Sequence, residues 1–185
     1  MWQAEFKLYL YPDDSSLFVD KLDLESLLSA IEFIGQKQIE SRFQVGNKFL
    51  SLLCFMGCSP NIELEPQDDK PYCYIETETA QKAQFVSGKN RRKVICPECK
   101  IALQNIDAIF QNKLNNLKEY DCPECNKHTF NLNTINWRKS AFFARSWLVV
   151  GNIYELEAVP DEKLLTSLKE LTGVEWKVAY IRQAS

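Results

Sequence analysis

Hydrophobic and polar residues alternate over residues 6–11, and this period of two is typical of a β-strand with one buried face. Leucine and isoleucine then recur every three to four residues over 23–35, which predicts an amphipathic helix. Asp23 is expected to cap the start of this helix, and Gly35 suits its end. The chain therefore opens with a predicted strand followed by a predicted helix.

More strands are predicted before residue 80. Residues 39–45 alternate again, and Gly-Asn at 46–47 is a signal for a two-residue hairpin turn. The run at 48–56 is nearly all apolar, which predicts a central strand. Shorter strand patterns follow at 61–64 and 72–77.

The end of the chain repeats the pattern of its beginning. Residues 147–156 are strand-like, Pro160 and Asp161 open a leucine-striped helix that ends at Gly173, and residues 174–180 alternate. Each end of the chain thus carries a strand–helix–strand unit. We expect an α+β fold in which the two units form one sheet, with both helices on the same face.

The two units flank a middle segment, so we divide the chain into three parts. Residues 1–81 form an N-terminal α+β half, residues 82–145 a metal-binding module, and residues 146–185 a C-terminal β–α–β half that packs with the first. A chain of 185 residues with 45% hydrophobic content can bury a core of this kind.

The middle segment contains two identical Cys-Pro-Glu-Cys tetrapeptides, which supply Cys96, Cys99, Cys122 and Cys125. Each Cys-x-x-Cys turn aims two sulfurs at one point, and four thiolates form the usual tetrahedral set for zinc, or for iron. A site with all four positions filled by protein is structural, because catalytic zinc keeps one position open. We expect one structural zinc ion per chain. His128 as a replacement ligand and two separate redox pairs are the alternatives.

These residues resemble the zinc-ribbon and treble-clef group of small zinc modules, over residues 96–125 alone. Many such knuckles have glycine after the second cysteine, where Lys100 and Asn126 stand in this chain. Asparagine tolerates the left-handed backbone better than lysine does, so the second knuckle is expected to be the more regular. Between the knuckles, an apolar stripe predicts a helix near 102–118 that packs on the main core or binds a partner.

The remaining cysteines are Cys54, Cys58 and Cys73, which we interpret as buried apolar side chains. The N-terminus has charges where a signal peptide needs an apolar run, and no apolar run reaches the ~20 residues of a membrane span. We therefore expect a cytoplasmic protein with reduced thiols, and no membrane partner.

Charge is unevenly distributed along the chain. Residues 1–81 carry a net charge of −8, residues 82–145 a net charge of +7, and residues 146–185 a net charge of −2. The basic middle could bind an anionic partner or face the acidic N-terminal half. Its candidate contacts to nucleic acid are Lys89, Arg91, Arg92, Lys93, Arg138, Lys139 and Arg145, with Trp137, Phe142 and Phe143 as rings that could stack on bases.

Catalysis has little support in the sequence, because no nucleophile–base pair or glycine-rich phosphate loop is present. The acidic residues at 155–162 are more typical of a strand end and a helix start than of a glycosidase pair. The leading hypothesis is a non-catalytic binding or adaptor protein that acts through protein contacts. A nucleic-acid-binding protein is the alternative, and an enzyme with an unrecognised site is third. The sequence does not indicate an oligomeric state.

Overall fold

A computed structural model of the chain describes residues 6–39, 41–56, 62–65, 71–104, 119–131, 135–154 and 157–182. Within these ranges the elements are, in chain order, β1 Phe6–Pro12, α1 Lys21–Ala30, β2 Ile34–Ile39, β3 Arg42–Val45, α2 Phe49–Leu52, β4 Leu53–Phe55, β5 Tyr74–Ser87, β6 Glu119–Asp121, β7 Thr129–Asn131, β8 Ala141–Ile153, β9 Ala158–Pro160, α3 Glu162–Thr172 and β10 Trp176–Arg182. Among them, no helix has the length and apolar character needed to cross a membrane.

The largest element is a six-stranded sheet with the order β10-β1-β8-β5-β3-β2. All its neighbouring strands are antiparallel. Because direction alternates across the sheet, β1 runs parallel to β2, and β8 runs parallel to β10. The chain passes from β1 to β2 through α1 and from β8 to β10 through β9 and α3. The fold is broadly α+β but consists mostly of sheet.

Both longer helices pack against the same face of this sheet, as expected from the sequence. Leu24 and Leu28 of α1 share one buried core with Leu164 and Leu168 of α3. The strand residues in that core include Leu8, Leu10, Ile75, Leu148 and Val150. Burying such side chains contributes about 1.5–3 kcal/mol each, so this face holds the main stabilising contacts of the fold.

The opposite face of the sheet is also buried around β1, β8 and β10. Tyr9, between the core residues of β1, lies in a second cluster with Phe142, Ala144, Val149, Ala179 and Ile181. Successive side chains in a strand point to opposite faces, so each of these strands contributes to both clusters. The expectation that the first strand has one buried face is therefore wrong, since Tyr9 is 8% exposed.

Helix α1 begins earlier and ends earlier than predicted. Asp20, not Asp23, is its N-cap, because the Asp20 carboxylate accepts a hydrogen bond from the Leu22 N–H at 2.8 Å. Gly35 lies in β2 rather than at the helix end, since Ile34 already pairs with Val45 of β3. Ile34, the last residue of the predicted apolar stripe, therefore belongs to the next strand.

Helix α3 lies where the sequence placed it. The Asp161 carboxylate accepts a hydrogen bond from the Lys163 N–H, and Gly173 ends the helix in the left-handed conformation with φ of 75°. The Gly173 N–H donates to the Lys169 carbonyl at 2.7 Å. Both ends therefore carry the caps that the sequence predicted.

The prediction of a central strand at 48–56 is wrong. This run forms the one-turn helix α2 and then β4, which pairs with β9 in a separate two-stranded sheet. Phe49, Leu52 and Leu53 are buried at helical spacing. A short apolar run does not by itself distinguish a strand from a buried helical turn, and here the helical turn continues into a short strand.

The metal-binding segment lies at one end of the long β5–β8 pair. That pair runs from Tyr74 opposite Gly151 to Ser87 opposite Ala141, through both positions at which the sequence was divided. Residues 88–140 connect Ser87 to Ala141, so the metal-binding segment starts and ends at this last pair. The helix predicted over 102–118 does not start at Ala102, which forms a β-bridge with Ile95. Residues 105–118 of that prediction lie outside the described residues. Likewise, residues 62–64 form no strand, and residue 61 lies outside the described part.

Candidate functional site

The first Cys-Pro-Glu-Cys tetrapeptide is the tip of a small hairpin. Ile95 and Ala102 bridge its two arms, and the Cys96 N–H donates to the Ile101 carbonyl at 2.9 Å. The Lys100 N–H donates back to the Cys96 carbonyl at 3.0 Å, with Lys100 at φ of 63°. This closed turn points both cysteine sulfurs of the knuckle to the same side.

The second tetrapeptide is the tip of the β6–β7 hairpin and closes in the same way. The Cys122 N–H donates to the His128 carbonyl at 2.8 Å, and the Asn126 N–H donates to the Cys122 carbonyl at 2.9 Å. Asn126 has φ of 51°, so Lys100 and Asn126 both adopt the left-handed conformation. Lysine does not prevent the first knuckle from forming the turn that glycine often supplies.

The two hairpins bring the four predicted ligands together. The Cys96 Sγ lies 3.9 Å from the Cys125 Sγ, the Cys99 Sγ lies 3.8 Å from the Cys122 Sγ, and all four sulfurs lie within 4.8 Å of one another. A tetrahedral site with metal–sulfur bonds of about 2.3 Å places its sulfurs about 3.8 Å apart, whereas a disulfide bond is about 2.05 Å long. This spacing fits a four-cysteine metal site.

The cysteines are enclosed by a local apolar cluster. Cys96 and Cys122 are fully buried, and Cys99 and Cys125 are partly buried. They pack with Val94, Leu103, Phe130, Trp137, Ala141 and Phe143. Because Ala141 and Phe143 belong to β8, the candidate metal site shares its apolar surroundings with the main sheet.

Two thiols of the site, those of Cys96 and Cys99, differ in pKa. Burial raises the pKa of Cys96, but hydrogen bonds from the backbone N–H groups of Cys99 and Glu98 outweigh this effect and lower it to about 7. A backbone hydrogen bond from Ile101 lowers the pKa of Cys99, while burial and the neighbouring thiols raise it to about 12. The Cys96 thiolate thus forms readily and opposes ionisation of Cys99. A divalent cation would stabilise all four thiolates together.

His128 is not among the residues whose ligand atoms converge on this point. Its ring packs edge-on against Phe130, with centroids 4.5 Å apart, and its carbonyl accepts the hydrogen bond from Cys122. The four cysteines form the site without it.

The other cysteines have different environments. Cys73 is fully buried, as predicted, and burial raises its pKa to about 12. Cys54 is exposed, so the prediction that it is buried is wrong. It lies on the outer face of β4, opposite Val159 of β9, and its thiol is 3.9 Å from Asp161. Cys58 lies outside the described residues.

A set of cationic side chains surrounds one cavity of about 370 Å³, which we call the basic cavity. The cations that line it are Lys89, Arg92, Arg138, Lys139 and Arg182. No acidic side chain occurs among its described lining residues. Four of the seven cations that the sequence proposed as nucleic-acid contacts therefore meet here. The other three, Arg91, Lys93 and Arg145, do not line it.

The sequence did not identify Arg182, because no basic residue lies next to it in the chain. Asn90 brings it to the cavity, because the Asn90 amide donates to the Tyr180 carbonyl at 2.8 Å and accepts from the Arg182 N–H at 2.9 Å. The Lys89 N–H also donates to the Arg182 carbonyl at 3.0 Å. The place of Arg182 at the cavity follows from contacts between segments that are far apart in the sequence, which the sequence alone does not show.

The aromatic residues near the basic segment are buried rather than presented as a stacking platform. Trp137, Phe142 and Phe143 are 6%, 2% and 8% exposed. Arg145, which the sequence grouped with the same surface, donates to the Ala80 and Ser16 carbonyls instead. These four residues mainly stabilise the fold.

A larger cleft of about 640 Å³ lies beside the basic cavity and is called here the aromatic cleft. Arg138 and Lys139 line both. Its walls also include Tyr11, Asn136, Trp137, Phe142, Phe143, Val159, Trp176 and Lys177. A mostly apolar cleft with a few polar groups is the usual form of a ligand pocket.

Two members of the acidic cluster near 155–162 lie at the start of helix α3. Asp161 caps α3, and Glu162 occupies the first turn of that helix. Residues 155 and 156 lie outside the described residues. These acids occupy positions that favour the helix dipole.

Comparison with models of protein families, with curated proteins and with solved structures finds no match to this chain. The candidate sites therefore rest on their own geometry.

Proposed function

We propose that this chain is a non-catalytic binding protein in which the four cysteines hold one structural zinc ion. Four converging thiolates suit zinc or iron rather than calcium or magnesium, and they leave no position open for substrate. The resemblance of the knuckles to zinc-ribbon modules supports zinc. In this role the metal joins the two hairpins that carry the knuckles.

We propose nucleic acid as the ligand, acting through the basic cavity. The observation that carries this proposal is the convergence of five cations from three separate segments, without an acidic side chain among the described lining residues. Arg92, Arg138 and Lys139 are exposed, and none forms an ion pair with a described residue. Neutralising phosphates with such cations releases counterions and favours binding at low salt.

The test is binding of a fluorescent mixed-sequence oligonucleotide, measured by anisotropy over a range of salt concentrations. With five phosphate contacts, the logarithm of the binding constant should fall against the logarithm of salt with a slope of about −3.5 for a single strand. Arg92→Ala should weaken binding more than Lys93→Ala, which removes the same charge from a neighbour outside the cavity. Absence of binding at low salt would rule out this ligand.

A second candidate is an adaptor that binds protein, and it has its own observation. Met56, Leu50 and Val159 are 71%, 54% and 39% exposed, on or beside the β4–β9 pair. Exposed apolar groups of this kind occur at protein interfaces. A protein partner that binds these exposed groups should be lost from the Met56→Asp protein but retained by the Leu171→Asp protein. Leu171 is the control because it is also exposed but lies on α3, outside the β4–β9 pair. Equal capture by both variants would contradict this role.

A further inference from the structure

The turn at Arg138 and Lys139 separates the basic cavity from the aromatic cleft and lines both. The Ser140 N–H donates to the Trp137 carbonyl at 3.0 Å across this turn. Arg138 and Lys139 have φ of 50° and 60°, as in a type I′ turn. Such turns favour Asn-Gly, and each left-handed residue with a larger side chain costs about 1–2 kcal/mol.

The surrounding structure holds this unfavourable turn in place. The Tyr180 N–H donates to the Lys139 carbonyl at 2.7 Å, and the Arg92 N–H donates to the Ser140 hydroxyl at 2.9 Å. Two long cations thus occupy positions where a neutral Asn-Gly pair would give a more stable turn. Strained residues of this kind are concentrated at ligand-binding sites.

We propose that the two cavities together bind one nucleotide unit of a single-stranded nucleic acid, with the phosphate in the basic cavity and the base in the aromatic cleft. This inference rests on the proposed nucleic-acid binding and specifies its form. A duplex keeps its bases stacked inside and its phosphates on a convex surface. Two adjoining concave sites therefore suit a strand whose base is unstacked.

The aromatic cleft has the features needed for a base. The Tyr11 ring stacks on Phe142 with centroids 4.2 Å apart and planes 9° apart, which fixes the orientation of that wall. Ser15, Asn136 and the ion pair of Asp13 with Lys177 add polar groups to a mostly apolar lining. The base would enter between these walls rather than lie on an exposed ring, because the deeper rings are almost fully buried.

The role of the turn is tested with Arg138→Asn/Lys139→Gly, which removes two charges and supplies the residues that the turn prefers. We expect single-strand affinity to fall about tenfold at low salt, and the salt slope to become shallower by about 1.4. The melting temperature should be unchanged or higher, which separates lost binding from unfolding. The control Lys21→Gln/Lys163→Gln removes two charges that line neither cavity. Equal affinity in the two double variants would overturn the proposal.

The role of the aromatic cleft is tested with Val159→Trp, which places a ring in the cleft without changing charge. Leu171→Trp is the control, because Leu171 is equally exposed, at 39%, and lines neither cavity. We expect Val159→Trp to reduce single-strand affinity about tenfold, the loss of roughly one base contact. Identical binding by Val159→Trp and Leu171→Trp would overturn the assignment of the base.

Two comparisons separate the possible ligands. A single strand should bind more tightly than the matched duplex, and a nucleoside 5′-monophosphate should compete better than either inorganic phosphate or the free nucleoside. Equal binding of duplex and single strand, or equal competition by phosphate and mononucleotide, would overturn this inference and leave nucleic-acid binding in place. Failure of every nucleic acid to bind at low salt would remove both.

Discussion

At the scale of single residues, the candidate sites depend on residues other than glycine whose backbone adopts the left-handed conformation. Lys100 and Asn126 close the two cysteine knuckles, and Arg138 with Lys139 forms the turn between the two cavities. Glycine would adopt these angles without strain. The chain retains larger residues at each position, and the cost at Arg138 and Lys139 is consistent with a binding role.

Lys100 offers a direct measure of this strain. Lys100→Gly should raise the free energy of unfolding by about 0.5–1 kcal/mol, because the relief of left-handed strain exceeds the greater flexibility of glycine in the unfolded chain. Asn126→Gly should change it less, since asparagine tolerates this conformation. Denaturant titration of both metal-loaded proteins gives the comparison. A destabilised Lys100→Gly protein would show that the lysine side chain supports the knuckle.

Cys73 should make the fold sensitive to alkaline pH. Burial raises its pKa from 9.0 to about 12, so between these values the unfolded chain has lost a proton that the folded chain retains. Stability therefore falls as pH rises above 9. The stability advantage of the wild type over Cys73→Ala should narrow by about 1 kcal/mol between pH 9 and pH 10. A constant difference across this interval would indicate that the thiol ionises normally.

At the scale of elements, the sequence was most informative where several signals agreed. Helix α3 has a leucine stripe, an aspartate before it and a glycine after it, and its observed bounds match the prediction. The run at 48–56 offers only apolar character, and its outcome depended on the pairing of β4 with β9, which the sequence does not encode locally. The error at the start of α1 arose because Asp20 and Asp23 are both suitable caps.

Alanine substitutions at two aspartates distinguish the observed N-cap of α1, Asp20, from the predicted one, Asp23. Asp20→Ala should destabilise the protein by about 1 kcal/mol, because it leaves the Leu22 N–H without its side-chain acceptor. Asp23→Ala should cost only about 0.3 kcal/mol, the value of an acidic side chain in the first turn. Chemical denaturation of the two variants provides the test. A larger loss for Asp23→Ala would favour the cap that the sequence indicated.

At the scale of the whole molecule, the candidate metal site and the basic cavity adjoin the same end of the sheet. Trp137 packs in the cysteine cluster, and the next two residues form the turn that lines both cavities. The four cysteines could be predicted from their spacing alone. The basic cavity could be predicted only in part, because Arg182 reaches it through strand pairing and through Asn90.

This arrangement predicts that loss of the metal affects more than the knuckles. Cys122→Ser should lower the midpoint of the main thermal transition and weaken oligonucleotide binding, because the cysteine cluster includes Ala141 and Phe143 of β8. Cys54→Ser is the matched control, since that thiol is exposed and lies outside the cluster. A main transition in Cys122→Ser that coincides with the control would show that the site is energetically separate from the sheet.

The most direct measurement is the metal content of the protein purified without chelators, determined by elemental mass spectrometry. The Cys99→Ser variant is purified and measured in the same way for comparison. Four converging thiolates predict close to one zinc ion per wild-type chain and a marked loss of zinc in the variant. Iron in place of zinc would contradict the proposed metal while preserving the four-cysteine site. A wild-type preparation with neither zinc nor iron would contradict the site itself.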